Sequence, residues 1–313
     1  MQNNFVVGVD IGGTNFRIGL VSEEGNLCSY IIQSSSILNK TGNSLISLKE
    51  YLLEYIKKNL SGELKAISIG LPSTISKDKK KVYSTPNLPG FNNVNVVDYL
   101  YNEIKVPIFL NKDVNCLLKW DMIDKGISKE GVTLGFYIGT GFGNSICING
   151  EFLSGKNGVA GELGHIPVLN CNDICGCGNK GCIELYASGK TLRRIKEDNF
   201  KDTNISELFV RHKDSEVLKE FIEKISIPIA TEINIFDPDN IIIGGGVVNM
   251  KGFPKPFLEE CVYKHSRKPF PAEGLKFIYS SQTQESGVLG AAFKAMEELN
   301  QNQEGSFNSD SYR

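Results

Sequence analysis

Four of the chain's eight cysteines and one of its three histidines fall within HIPVLNCNDICGCGNKGC, His165 to Cys182. His165, Cys175, Cys177 and Cys182 have the donor types and the tight spacing that a closed tetrahedral Zn²⁺ site uses. Cys171 is a rival for the fourth position. Cys175 and Cys177 are separated by a single residue, too close to pair comfortably with each other. A disulfide framework belongs to secreted chains, and nothing in the sequence suggests secretion. Glu162 stands just before this cluster and Glu184 just after it, so a bound metal would fix two carboxylates in place.

A second chemistry sits in glycine turns. In VDIGGTNFR, Gly12 and Gly13 let backbone N–H groups approach phosphate oxygens, and Thr14 adds a hydroxyl. Asp10 can hold Mg²⁺, usually through water. A strand-like segment follows, which argues against a Walker loop or a dinucleotide fold, since both run into a helix. Taken alone, an ordinary hairpin turn is the simpler reading. YIGTGFGN repeats the arrangement with Gly139, Thr140 and Gly141, and two such turns at matching places could grip a polyphosphate. A third glycine cluster, Gly244, Gly245 and Gly246 after IIIG, could admit a flat ring or simply be a tight turn. GEFLSGKN fits a phosphate-loop pattern except for Asn157, where a hydroxyl is required, and reads as a chance match. In FLNKDVN, Asp113 follows a buried-type strand. It can take a proton from a substrate hydroxyl or serve as a helix-start residue, and the sequence leaves both readings open.

These side chains need elements to hold them. Residues 5–33 read as three strands joined by turns, and 44–60 as a helix with Leu45, Leu48, Leu52, Ile56 and Leu60 on one face. Strands at 64–72 and 106–111 follow, and the lysine run at 77–81 reads as a solvated turn. The pattern restarts with strand, glycine turn, strand at 132–150. Helical stretches follow from about 186 to 235, with a break or kink expected at Pro228. A strand at 240–247 and a helix at 286–299 complete the order. The pattern predicts a duplicated α/β fold with a cleft between two lobes. The small lobe is 1–114 plus a helix at about 286–300, the large lobe is 115–285, and the tail 301–313 is disordered. Cys28, Cys116, Cys147 and Cys261 read as buried thiols. The 313 residues are 41% hydrophobic and 22% charged with a net charge of −2, which gives no footprint for nucleic acid or anionic membrane. No apolar run is long enough to span a bilayer and no secretion signal opens the chain, so a cytoplasmic location is expected.

Together DIGGTN, YIGTGFG, GVAGELGH, CGCGNKGCIE and GGGV, in this order, resemble the ROK family of sugar kinases and related repressors. The resemblance covers nearly the whole chain. It implies the duplicated actin-like (RNase H-like) fold and an ATP-dependent sugar kinase using ATP, Mg²⁺ and structural Zn²⁺. It makes Asp113 similar to the catalytic base for the sugar's 6-hydroxyl. Asn87, Lys112, Glu162, His165 and Glu184 resemble sugar-contacting positions, His165 also ligating zinc with Cys175, Cys177 and Cys182. Asp10, Gly12, Gly13, Thr14, Asn15, Gly139, Thr140, Gly141 and Gly244–Gly246 resemble nucleotide-binding positions. Cys171 has no role in that pattern. Many family kinases carry Asn where this chain has Lys112, a departure that weighs against plain glucose specificity. STPNLP, KDVN with WD following, GVAGELGHIP and NIFDPD look most like the D-allose kinases of the family. Glucose and N-acetylmannosamine kinases are the alternatives, and a homodimer is what the family suggests. A repressor is disfavoured because no helix-turn-helix segment precedes Phe5.

Overall fold

The computed structural model describes residues 3–85, 88–281 and 283–309, with side chains through 301. In chain order the elements are β1 (Asn4–Ile11), β2 (Asn15–Ser22), β3 (Leu27–Ser34), α1 (Ser44–Asn59), β4 (Glu63–Leu71), β5 (Thr74–Ile75), β6 (Lys81–Ser84), β7 (Val94–Asn95), α2 (Val96–Ile104), β8 (Ile108–Lys112) and α3 (Asp113–Asp124). Then come β9 (Val132–Ile138), β10 (Phe142–Ile148), β11 (Glu151–Phe152), α4 (Gly189–Asn199), α5 (Leu208–Arg211), α6 (Glu216–Phe236), β12 (Asn240–Gly244), α7 (Lys255–His265), β13 (Phe277–Tyr279) and α8 (Ser286–Ser309).

The contacts divide the chain into two compact units, one of residues 1–127, 154–160 and 283–313, the other of 128–153 and 161–282. The expected boundary at 114 thus moves to 127. The cause is α3, which packs on α8: a methyl group on Gly290 would stand 1.8 Å from the Cys116 carbonyl oxygen.

The first unit holds a sheet ordered β3-β2-β1-β4-β8, and the second one ordered β11-β10-β9-β12-β13. In each, the central strand pairs antiparallel with the next strand in sequence and parallel with the strand that follows a helical crossover. The duplication read from the glycine turns is therefore a duplication of topology, and the fold is the actin-like one. β1 and β4 are buried almost throughout and read as continuous apolar runs, as strands covered on both faces must. α1 covers one face of the first sheet with Leu45, Leu48 and Leu52, and the Asn43 side chain accepts the N–H groups of Leu45 and Ile46 at its start. α8 covers the other, close enough that a methyl group on Gly8 of β1 would meet the Val288 carbonyl at 2.2 Å.

Several expectations change. α6 runs unbroken through Pro228, which is itself buried between Ile225 and Ile229; core packing there outweighs the hydrogen bond that proline removes. The last helix continues to Ser309, past the expected start of a disordered tail at 301, because a segment nucleated by a packed helix propagates at little further cost. Cys28 is exposed, lying on β3 at the sheet edge, whereas Cys116, Cys147 and Cys261 are buried. The strand at 240–247 ends at Gly244. The small β5-β6-β7 sheet, α7 and β13 carry little periodicity and were not visible in the sequence. No helix among the described residues is long and apolar enough to cross a membrane.

Candidate functional site

Asp10 and Asp113 sit at the ends of parallel strands in the first unit. Asp10 is near the end of β1, and Asp113 opens α3 directly after β8. The helix cap is Lys112, not Asp113, and Asp113 Oδ1 accepts the N–H of its neighbour Val114 at 2.9 Å. The two readings of Asp113 thus separate: the residue is in the first helical turn but does not cap it. Burial pushes its carboxyl up to about 6, the negative Asp10 adds to the rise, and the Val114 N–H and the Lys112 ammonium oppose it. Lys112 Nζ donates to the Ala160 carbonyl at 3.0 Å. Asp10 is also raised by burial, although Arg17 Nη1 lies 2.9 Å from its Oδ2. Arg17 is directly opposite Asp10 in the β1–β2 register and also donates to Gln284.

The first glycine turn joins β1 to β2. Gly12 N donates to the Asn15 carbonyl at 2.8 Å, Ser35 Oγ donates to the Gly12 carbonyl at 2.6 Å, and Ser35 N donates to the Thr14 carbonyl. A cavity of about 290 Å³ lies against this turn, lined by Gly12, Gly13 and Thr14 with Ser34–Ser36, Asn39, Pro72 and Leu88. In the second unit, Gly139 and Thr140 belong to the turn between β9 and β10. The start of α4 is pressed onto it, with Gly189 N donating to the Gly139 carbonyl at 2.8 Å. The three clusters differ in why glycine stands there. A methyl group on Gly13, Gly139 or Gly246 would touch nothing, which leaves room for a ligand against bare backbone. At Gly141, by contrast, the space is taken: a methyl group there would lie 2.2 Å from Glu184 Oε2 and displace that carboxylate. Gly244 and Gly245 are held the same way, by Tyr137 with Ser280 and by the Ile138 backbone respectively.

Glu184 faces the turn because its Oε2 accepts the Phe142 N–H at 3.0 Å. The segment Gly161 to His165 rests on the same strand, β10. A methyl group on Gly164 would meet the Phe142 carbonyl at 2.8 Å, and one on Gly161 would meet Asn144 at 3.0 Å. Glu162 Oε2 lies 3.7 Å from His165 Nε2. His165 Nδ1 lies 3.6 Å from Cys175 Sγ, and Cys177 Sγ lies 3.6 Å from Cys182 Sγ. All four donor atoms fall within 4.8 Å of one another. A tetrahedral zinc with Zn–S bonds of about 2.3 Å sets its sulfurs about 3.8 Å apart, so the four residues fit that ion. Cys171 is not in the cluster. The ring nitrogen of His165 that faces Glu162 is the one turned away from Cys175. Asn87 lies outside the described residues.

A profile of the ROK family matches residues 6–298. The chain belongs to the ROK family. It is 27% identical over 310 residues to a glucokinase of Thermotoga maritima, covering 92% of this chain and 96% of that one. It is 27% identical over 259 residues to an N-acetyl-D-glucosamine kinase of Pectobacterium carotovorum, covering 77% and 84%. A solved ROK family glucokinase from Streptomyces griseus, in complex with glucose and AMPPNP, superposes with a TM-score of 0.77 over 92% of this chain and 98% of that one at 22% identity. At that identity the likeness speaks for the fold.

In this ROK chain the structure adds three residues that sequence reading missed. Arg17 was legible in principle: once 5–21 is a hairpin, its position opposite Asp10 follows from counting. The buried pair of Asn144 on β10 and Glu232 on α6 was not legible, because it joins residues 88 apart in sequence.

Proposed function

We propose that this protein is an ATP-dependent hexokinase that phosphorylates the 6-hydroxyl of a hexose, with D-allose as preferred substrate. The observation that carries the reading is Asp113: a carboxyl at the end of a parallel strand, poised at about 6 beside an ammonium. Such a group is ionised near neutrality yet basic enough to accept a proton. The sugar's 6-oxygen forms a bond to the γ-phosphorus of ATP, the bond from that phosphorus to the β,γ-bridging oxygen breaks, and the hydroxyl proton passes to Asp113. ADP and the sugar 6-phosphate are the products. Phosphoryl transfer needs chiefly positioning and charge stabilisation. In this reading Gly12, Gly13, Thr14, Asn15, Gly139 and Thr140 hold the phosphates and Gly244–Gly246 the adenosine. Gly141 serves by giving Glu184 its place. Glu162, His165, Glu184, Lys112 and Asn87 contact the sugar.

Asp10 would hold Mg²⁺, usually through water, beside the Arg17 guanidinium that lies against one of its oxygens. That ion, when bound, neutralises charge on the phosphate oxygens. Zn²⁺ at His165, Cys175, Cys177 and Cys182 would be structural, a closed set of four protein ligands that keeps Glu162 and Glu184 fixed. Support for allose comes from Lys112, which can only donate hydrogen bonds where many family kinases have an amide that both donates and accepts. The named relatives favour glucose or N-acetylhexosamines instead. A comparison of kcat/KM across allose, glucose, mannose, fructose, N-acetylglucosamine and N-acetylmannosamine decides between them. Allose is expected to lead. A higher value for glucose or an N-acetylhexosamine overturns the substrate, and no ADP release with any of the six overturns the activity.

A further inference from the structure

Beneath the segment Gly161–His165 lies a polar pair that the reaction scheme does not use. Asn144, on β10, is 1% exposed, and Glu232, on α6, is 4% exposed. Both sit among the apolar side chains of the second unit's core. The Asn144 amide nitrogen lies 2.6 Å from Glu232 Oε2 and 3.2 Å from the Gly135 carbonyl, while Asn144 Oδ1 is buried with no hydrogen-bond partner.

Burial pushes the Glu232 carboxyl up to about 8, with the Asn144 amide opposing. No charged side chain from α6, α7 or the β9-β10-β12 sheet contributes among the described residues. The carboxyl is therefore protonated at neutral pH and carries a donor. The Asn144 amide nitrogen donates both to Oε2 of that neutral carboxyl and to the Gly135 carbonyl, and this fixes the amide with its Oδ1 turned toward Gly161.

That place matters because Gly161, with φ of +79°, rests on Asn144: a methyl group there would come within 3.0 Å of both the Asn144 carbonyl oxygen and Oδ1. Glu162 follows directly. We propose that Asn144 and the protonated Glu232 are positioning residues, a buried pair that sets the seat of Gly161 and so the presentation of Glu162 to the sugar. The proposal rests on the kinase reading for its substrate, but not for the pair itself. Ionising Glu232 leaves a buried charge with only the Asn144 amide to offset it under the loop, and loosens the seat.

Three variants test this. In the wild-type enzyme the KM for sugar is expected to rise about tenfold from pH 7.5 to pH 9, with kcat and the KM for ATP nearly flat. Glu232→Gln, neutral and of the same shape, should abolish that rise. Asn144→Ala should raise the sugar KM about tenfold already at pH 7.5, with kcat within threefold. Thermal melting provides a readout independent of turnover: wild-type Tm should fall as pH rises through about 8, and that of Glu232→Gln should not. Melting that behaves so in a protein inactive on every sugar supports the pair while refuting the kinase reading. A sugar KM that rises equally in wild type and Glu232→Gln overturns the positioning role, as does an Asn144→Ala enzyme whose kcat and both KM values change together. Equal melting profiles overturn the protonated carboxyl. Glu232→Leu, which fills the space without a polar group, separates packing from bonding: if its sugar KM at pH 7.5 matches that of wild type, the pair does not seat the loop.

Discussion

At the scale of single residues, what distinguishes Asp113 is its cost. A carboxyl held at about 6 instead of near 4 makes the folded state prefer the protonated form. The stability this lends is complete below the unfolded-state value near 3.8 and is lost as pH rises through about 6, so at pH 8 the ionised Asp113 is a burden on the fold. Two outcomes are expected. kcat/KM should fall as pH drops through about 6, because protonated Asp113 cannot accept the hydroxyl proton. Asp113→Asn should lose about two to four orders of magnitude in kcat while retaining sugar binding. It should also melt at a higher temperature than wild type at pH 8, by a margin that shrinks toward pH 4. A pH–rate profile and paired melting curves check this, and near-normal turnover by the asparagine variant would sink the assignment of the base. Asp113 itself was visible in FLNKDVN, but its role was not. Desolvation and the nearness of Asp10 depend on β1 and β8 lying on either side of β4, and no local pattern encodes that order.

At the scale of elements, the site is built by close crossings. Helix α8 lies against β1 and α3 with almost no gap, which is why Gly8, Gly287 and Gly290 lack side chains: a methyl group on Gly287 would stand 2.6 Å from Asp10 Cγ. α8 thus positions both acids, Asp10 by direct contact and Asp113 through α3. Gly290→Ala is expected to force α3 and α8 apart and to destabilise the protein by about 1–3 kcal/mol, the usual range for overpacking. Urea unfolding would measure the loss, and kcat should fall with it because Asp113 heads α3. The duplicated order of strands was legible, since turn-forming glycines and β-rich runs recur at two places. The short strands β5 to β7 and β13 were not, because two to four residues carry too little periodicity to register.

At the scale of the whole molecule, two units of the same topology carry different loads. The first holds the acids and the cavity against the first glycine turn, and the second holds the cysteine cluster and the loop seated on β10. A structural metal couples binding to folding, because its ligands must be brought together before it binds. Chelation of zinc, or Cys177→Ala, should therefore abolish sugar binding and lower the melting temperature together, and bound metal should be near one equivalent per chain by elemental analysis. A well-folded chelated enzyme that binds sugar normally would show the cluster to be dispensable. Legible in the chain were the duplicated α/β order, the cysteine and histidine set, the glycine turns and Asp113 as a residue but not as a base, because each of these is written in residues close together. Long-range packing alone brings Glu184 over Gly141 while Gly139 faces open space, and brings Asn144 to Glu232 in the core. Those facts arise where segments far apart in sequence are packed to contact distance. There, burial sets the charge of a carboxyl, and a single methyl group decides whether two backbones can meet.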